Sequence, residues 1–135
     1  MMRRSFLVLA ASAGLSACLA TDDIRYVSPN SGVMAAFDAP YDRVLVSTLS
    51  TLRQLDVTIE SVEELSGGTL ILVSKGLSGF SWGEVGRVLV EQRAGPPIPV
   101  RLLWVKRYQR QVTGTSQTEF AQQLYHGISA DLGGR

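Results

Sequence analysis

The stretch VTIESVEELSGGTLILV, residues 57–73, decides the fold. At its start, apolar and polar side chains alternate with the period of a strand that buries one face: Val57, Thr58, Ile59 and Glu60. Residues 63–68 (EELSGG) are typical of a turn, and residues 69–73 (TLILV) are a second β-rich run. Two such runs on either side of a Gly-Gly turn predict a hairpin, so this part of the sheet is antiparallel.

Three further segments on either side of the hairpin have strand character. Residues 33–37 (VMAAF) place alternate apolar side chains on one face, and residues 85–92 and 99–108 are two more β-rich runs. The prolines at 96 and 97 separate the last two runs, because proline cannot continue a ladder. In the last strand Val100, Leu102, Trp104 and Tyr108 share one face, and the opposite face is mixed and half wet: Arg101, Leu103, Val105 and Arg107.

Two amphipathic helices are predicted, one before the hairpin and one at the end of the chain. Asp38 is placed to cap the first helix, Pro40 falls in its first turn, and the helix ends near Gln54. Its apolar stripe recurs at steps of three and four residues: Val44, Leu45, Thr48, Leu49, Leu52 and Leu55. The second helix begins at a capping box, Ser116 to Glu119, and stops at Gly133 and Gly134. Its stripe is Phe120, Leu124, Ile128 and Leu132.

This order of elements predicts an α+β fold, an antiparallel sheet of about five strands with two helices packed on one face. Residues 33–135 would form this single domain. Residues 19–32 (LATDDIRYVSPNSG) are polar, turn-rich and without period, so we expect residues 18–32 to be a tether in front of the domain.

The amino-terminal residues have the parts of an export signal. Arg3 and Arg4 precede the apolar run FLVLAASAGL at 6–15, which is shorter than the ~20 residues that a membrane-spanning helix needs. A positive start, a short apolar run and small residues after it predict a signal peptide over residues 1–17.

The end of this segment, Leu15-Ser16-Ala17-Cys18, resembles the lipobox of bacterial lipoprotein signal peptides. The resemblance implies cleavage before Cys18 and a diacylglycerol on the Cys18 sulfur, with Leu15, Ser16 and Ala17 recognised by the processing enzymes. Leu19 at the next position resembles the sorting signal of outer-membrane cargo. We therefore expect a lipid-anchored protein of the cell envelope that faces the periplasm, in the outer rather than the inner membrane. The alternative is an ordinary cleaved signal in which the cysteine is incidental.

Composition excludes several function classes. The 135 residues carry 13 basic and 12 acidic side chains, which is not the charge footprint of a nucleic-acid-binding protein. One His and one Cys cannot build a structural zinc site of the usual kind within one chain. We expect no metal, no cofactor and no nucleic-acid partner.

No residue motif points to catalysis. His126 stands without a nucleophile or an orienting acid in any recognisable arrangement, so a surface role is favoured. Asp22 and Asp23 lack the other oxygen ligands of a cation loop and are interpreted as solvated charge. Glu60, Glu63 and Glu64, on or beside the hairpin turn, are interpreted in the same way. The domain is therefore predicted to be non-enzymatic.

The glycine-rich loop at 76–83 (GLSGFSWG) is the internal feature that most favours binding. Leu77, Phe80 and Trp82 are apolar side chains of the kind that anchor interfaces, so they are candidate contacts for a partner or a ligand. The alternative is that they fold inward and close the end of the core. Five arginines on the last two strands either pair with acidic side chains across the sheet or accept an anionic partner: Arg87, Arg93, Arg101, Arg107 and Arg110.

Residues 37–44 (FDAPYDRV), 52–60 (LRQLDVTIE) and 67–71 (GGTLI), together with the closing helix, resemble a pattern in small bacterial lipoproteins of unassigned function. A more distant likeness is to the helix-grip domains of an accessory lipoprotein of the outer-membrane β-barrel assembly machine. These resemblances imply protein–protein contacts in the envelope, and they carry no catalytic residue to this chain. The alternative function is to carry or sense a small apolar or anionic ligand, in a cleft between the helices and the loop at Phe80 and Trp82.

Overall fold

The computed structural model describes residues 21–28, 30–76, 83–107 and 114–134. Its elements, in chain order, are α1 (Thr21–Arg25), β1 (Val33–Phe37), α2 (Tyr41–Gln54), β2 (Thr58–Leu65), β3 (Gly68–Lys75), β4 (Glu84–Glu91), β5 (Ile98–Lys106) and α3 (Gln117–Gly133). The strands form one five-stranded sheet in the order β1-β5-β4-β3-β2, and every neighbouring pair is antiparallel. The predicted α+β fold is confirmed, with the two long helices on one face of the sheet.

The hairpin that decides the fold has a shorter turn than its sequence predicts. The turn is only Ser66 and Gly67, because the strands pair up to Leu65 and Gly68. Glu63 and Glu64, expected in or beside the turn, therefore belong to β2, where Glu63 faces Leu70 across the ladder. The register of β2 shifts between Ile59 and Ser61. Because of this bulge, Ile59 and Ser61 lie on opposite faces of the sheet although they are two residues apart.

The main core lies between the sheet and helices α2 and α3. Trp104 from β5 stacks on Phe120 from α3 with ring centroids 3.8 Å apart and planes 7° from parallel. The Tyr125 hydroxyl of α3 reaches the main-chain carbonyls of Val33 (2.5 Å) and Val100 (2.9 Å), so it ties this helix to β1 and β5. Burial raises the pKa of that hydroxyl, which therefore stays protonated and acts as a donor.

The two long helices begin differently. At α3 the forward half of the predicted capping box is confirmed, because the Ser116 Oγ accepts from the main-chain N–H of Glu119 at 3.2 Å. At α2 the prediction of an Asp38 cap is wrong. Pro40, not Asp38, is the N-cap residue, with φ −61° and no side-chain cap bond. Asp38 lies two residues before the N-cap, too early in the chain to cap the first turn.

The prediction that residues 18–32 form a tether is wrong for the part that the structure describes. Residues 21–28 form α1 and a turn that pack on the face of the sheet opposite α2 and α3, called the outer face here. Ile24 is 3% exposed and lies against three apolar side chains of β3 and β4: Leu70, Leu72 and Val85. A patch of this kind stabilises the chain segment that covers it, although the segment has no helical period of its own.

Candidate functional site

The outer face holds a second, smaller core in which one charge is buried. Arg87 is 4% exposed and stands between Val85 and Leu89 on the outer side of β4. Its guanidinium donates to the main-chain carbonyls of Ile24 (3.1 Å) and Ser28 (2.8 Å), and also to the carbonyl of Val27. Burial lowers the pKa of Arg87, but a guanidinium stays charged at any physiological pH. We call this arrangement of Arg87 with residues 24–28 the Arg87 clamp.

Beside the clamp, Arg25 of α1 pairs with Glu63 of β2. The hydrogen bond from Arg25 holds the pKa of Glu63 below its usual range, so the pair stays ionised at neutral pH. The pair joins the docked segment to the edge strand, while the clamp joins it to the centre of the sheet. The segment is therefore held by two polar contacts and by the burial of Ile24 against Leu70, Leu72 and Val85.

A second ionic cluster lies near the connection between β4 and β5. The Glu91 carboxylate accepts from Arg93 Nη2 and from Arg101 Nε, both at 2.8 Å. The hydrogen bonds from Arg93 and Arg101 lower the pKa of Glu91. For Arg101 the predicted pairing across the sheet is confirmed, whereas Arg93 pairs with Glu91 from the connection that follows β4. Arg87 instead binds carbonyls, Arg107 donates its main-chain N–H to the Gly83 carbonyl at 3.0 Å, and Arg110 lies outside the described residues.

A groove runs along the outer face between the docked segment and the β2–β3 turn. Its larger part is an open cavity of about 450 Å³ beside Leu65, Leu89 and Arg93. Its smaller part, about 80 Å³, adds Val27 and Arg87 to the same two leucines. Three apolar side chains on this side are exposed to solvent: Tyr26 (88%), Leu65 (48%) and Val27 (37%).

The residues that the sequence singles out for function are largely not among those described. The lipobox, Leu15 to Cys18, and the loop residues Leu77, Phe80 and Trp82 all lie outside the described ranges. His126 is exposed on α3, which agrees with its predicted surface role. Glu60 accepts a hydrogen bond from Ser74 at 2.5 Å, and Glu64 is exposed.

Sequence reasoning missed two buried charged side chains. In the sequence Arg87 is one of five similar arginines, and the signal that marks it for burial is its position in a strand between the apolar Val85 and Leu89. Glu84, at the start of β4, is 1% exposed and accepts from the main-chain N–H of Thr115 at 2.8 Å. Glu84 thus positions the chain just before α3, which is a structural task.

The described part of the chain was compared with two kinds of site, a metal centre and a membrane-spanning helix. Within residues 21–28, 30–76, 83–107 and 114–134, no three His, Cys, Asp or Glu side chains come together in a group that could hold a metal ion. None of the helices in those ranges has both the length and the apolar character needed to span a bilayer.

No protein-family model matches the chain, and a search of the curated proteins finds no match either.

Proposed function

We propose that this chain is a lipoprotein of the bacterial cell envelope, anchored through Cys18, whose periplasmic domain makes protein–protein contacts and catalyses no reaction. The observation that carries the proposal is the sequence Leu15-Ser16-Ala17-Cys18 directly after a short apolar run with two preceding arginines. With Leu19 in the next position, the outer membrane is favoured over the inner one.

Three buried polar side chains bind main-chain groups of the fold. Thr48 donates to the Val44 carbonyl at 2.7 Å, as a helix-bound hydroxyl does. Glu84 and Arg87, the two charged side chains that are buried among the described residues, bind main-chain groups. Polar side chains engaged in this way stabilise the fold, whereas a general base or nucleophile needs a polar atom directed at a substrate.

The anchor is tested by metabolic labelling. Growth with radiolabelled palmitate should mark the wild-type protein and leave a Cys18→Ser variant unmarked, because the sulfur is the acceptor of the diacylglycerol. The variant should also move from the membrane fraction to the soluble fraction, since the acyl chains supply about 0.8 kcal/mol per buried methylene. An unmarked wild-type protein would refute the proposal.

The partner is tested by crosslinking in intact cells, followed by solubilisation and capture of the lipoprotein. We expect one envelope protein to be recovered reproducibly. Its recovery should fall in the Trp82→Ala variant, because large aromatic side chains dominate interface energies. Val46→Ala is the matched control, since Val46 is an exposed apolar residue of α2. Recovery of no partner under any growth condition counts against protein contacts.

The groove on the outer face favours a second function, the carriage or sensing of a small apolar or anionic ligand. Its volume of about 450 Å³ is within the range of small-molecule sites, and Arg93 lies at its wall. Native mass spectrometry of the exported chain from Cys18 onward should then show a bound mass in addition to the protein. The chain must keep residues 21–28, since they form one side of the groove.

A further inference from the structure

We infer that the outer face of the sheet lies against the membrane surface, in a fixed orientation set by the Arg87 clamp. This inference rests on the proposed function, because it needs the lipid on Cys18. It goes further by assigning one face of the domain to the lipid headgroups and the opposite, helical face to the periplasm.

The length of chain between the lipid and the domain limits how far the outer face can lie from the membrane. Only three residue steps separate Cys18 from Thr21, the first residue of α1, and three steps span at most about 11 Å. The headgroup region of a bilayer is about 5–8 Å thick on each side. Since α1 is fastened to the sheet by Ile24 and Arg87, the outer face cannot lie far from the headgroups.

The part of the outer face that would lie against the membrane exposes apolar side chains. Tyr26 is 88% exposed and directly precedes Val27, which shares the groove with the exposed Leu65. A tyrosine and two aliphatic side chains on one face match the interfacial zone of a bilayer, where an aromatic ring sits at the headgroup level. The helix layer, about 10 Å thick, separates this face from Val46 on α2.

The charged side chains that line the groove are compatible with a headgroup surface: Arg25, Arg87, Arg93 and Glu91. Arg25 and Arg93 are paired with Glu63 and Glu91, and the Arg87 guanidinium is buried in the clamp. Arg93, whose side chain is 57% exposed, is the arginine of this set that can reach an anionic headgroup. The observations therefore point to a lipid surface as the occupant.

The test uses the full lipidated protein in vesicles of phosphatidylethanolamine and phosphatidylglycerol. A single cysteine is introduced by Tyr26→Cys, by Leu65→Cys or, as the control on the helical side, by Val46→Cys. The Cys18 sulfur is blocked by its lipid, so each introduced thiol takes a nitroxide label selectively. We expect the labels at 26 and 65 to be several-fold less accessible to a water-soluble nickel chelate than the label at 46. Equal accessibility at all three positions would overturn the inference.

A second variant tests the role of the clamp. Combined with Leu65→Cys, Arg87→Met should make the label accessible to the nickel chelate while the protein still floats with the vesicles. A label that stays protected in this variant would overturn the clamp as the cause of the orientation. Failure of the proposed function has a different signature, namely a protein that carries no lipid and does not float, whatever the label position.

Discussion

At the scale of the residue, Arg87 places a positive charge on an otherwise apolar part of a sheet face and gives it main-chain carbonyls as partners. Hydrogen bonds to a charged donor contribute about 1.5–3 kcal/mol each, but the burial of the guanidinium offsets part of this gain. Arg87 therefore affects stability mainly by keeping residues 21–28 docked, because undocking also exposes Ile24 and the apolar side chains under it.

Arg87→Met should accordingly release the amino-terminal segment and leave the sheet folded. Limited trypsinolysis should then cleave after Arg25 several-fold faster than in the wild type, because that peptide bond leaves the face of the sheet. The matched control is Arg93→Met, which removes an arginine whose side chain is 57% exposed. The same cleavage rate after Arg25 in both variants would show that Arg87 does not hold the segment.

Gly86 is the second residue with a defined role, because Trp104 occupies the space where a side chain would be. A Cβ at position 86 would come 2.7 Å from Trp104 Cε3 and 2.8 Å from Val73 Cγ2. Gly86→Ala should therefore displace the indole from its stack on Phe120 and lower the free energy of unfolding by about 2 kcal/mol. Chemical denaturation measures this loss. Gly95→Ala, where nothing lies within 4 Å, should stay within about 0.5 kcal/mol of wild type.

At the scale of the element, Glu91 fastens the end of β4 to Arg101 of β5 and to Arg93 in the connection between them. Its pKa in the folded state lies below the ordinary value of 4.5. A group of this kind contributes stability above the unfolded-state pKa, and that contribution is lost as the pH falls through the folded-state pKa. The free energy of unfolding should therefore fall as the pH drops below 4.5.

Glu91→Gln should make this fall less steep, as measured by urea denaturation at a series of pH values. Glu64→Gln removes an exposed carboxylate from the neighbouring hairpin and serves as the control. If the two variants have the same slope, the cluster around Glu91 does not couple to folding.

The elements also show what a single sequence can predict. β1 and the end of α2 at Gln54 lie where the periodicity places them, because a strand or helix with one buried face repeats that face in its sequence. The turn of the hairpin is shorter than the sequence predicts, since its flanking glutamates are compatible with either a turn or an exposed edge strand. α1 has five residues and one buried apolar side chain, which is too short for any period. The role of α1 becomes visible only in the structure, where Ile24 packs against Leu72 and Val85.

The sequence also does not identify the Arg87 clamp, because it does not show which segment covers the outer face. The apolar residues of the outer face, such as Leu70 and Leu72, belong to a continuous apolar run in β3, which indicates burial on both faces but not what covers each face. A helix stripe identifies α2 and α3 as the cover of one face. The cover of the other face is a segment whose polar composition is typical of a linker.

At the scale of the whole molecule, the folded unit includes residues 21–28 and so does not begin at residue 33. A chain that starts at residue 29 lacks Ile24 and leaves Leu70, Leu72 and Val85 uncovered, together with the charge of Arg87. Such a chain should lose about 3 kcal/mol of unfolding free energy relative to one that starts at residue 21, in line with the removal of a large buried aliphatic side chain. It should also bind an apolar fluorescent dye more strongly.

Ile24→Ala in the longer chain separates the apolar contribution from the rest of the segment. It should reproduce most of the loss, whereas Val46→Ala, at a residue 52% exposed on α2, should change the unfolding free energy by no more than about 0.5 kcal/mol. Equal stability of the chains that start at residues 21 and 29 would mean that the outer face needs no cover, and the domain would then begin at β1. Because the clamp and Ile24 hold the same segment, a loss in Ile24→Ala should come with faster trypsin cleavage after Arg25. The stability of the domain and its distance from the anchor therefore depend on the same contacts.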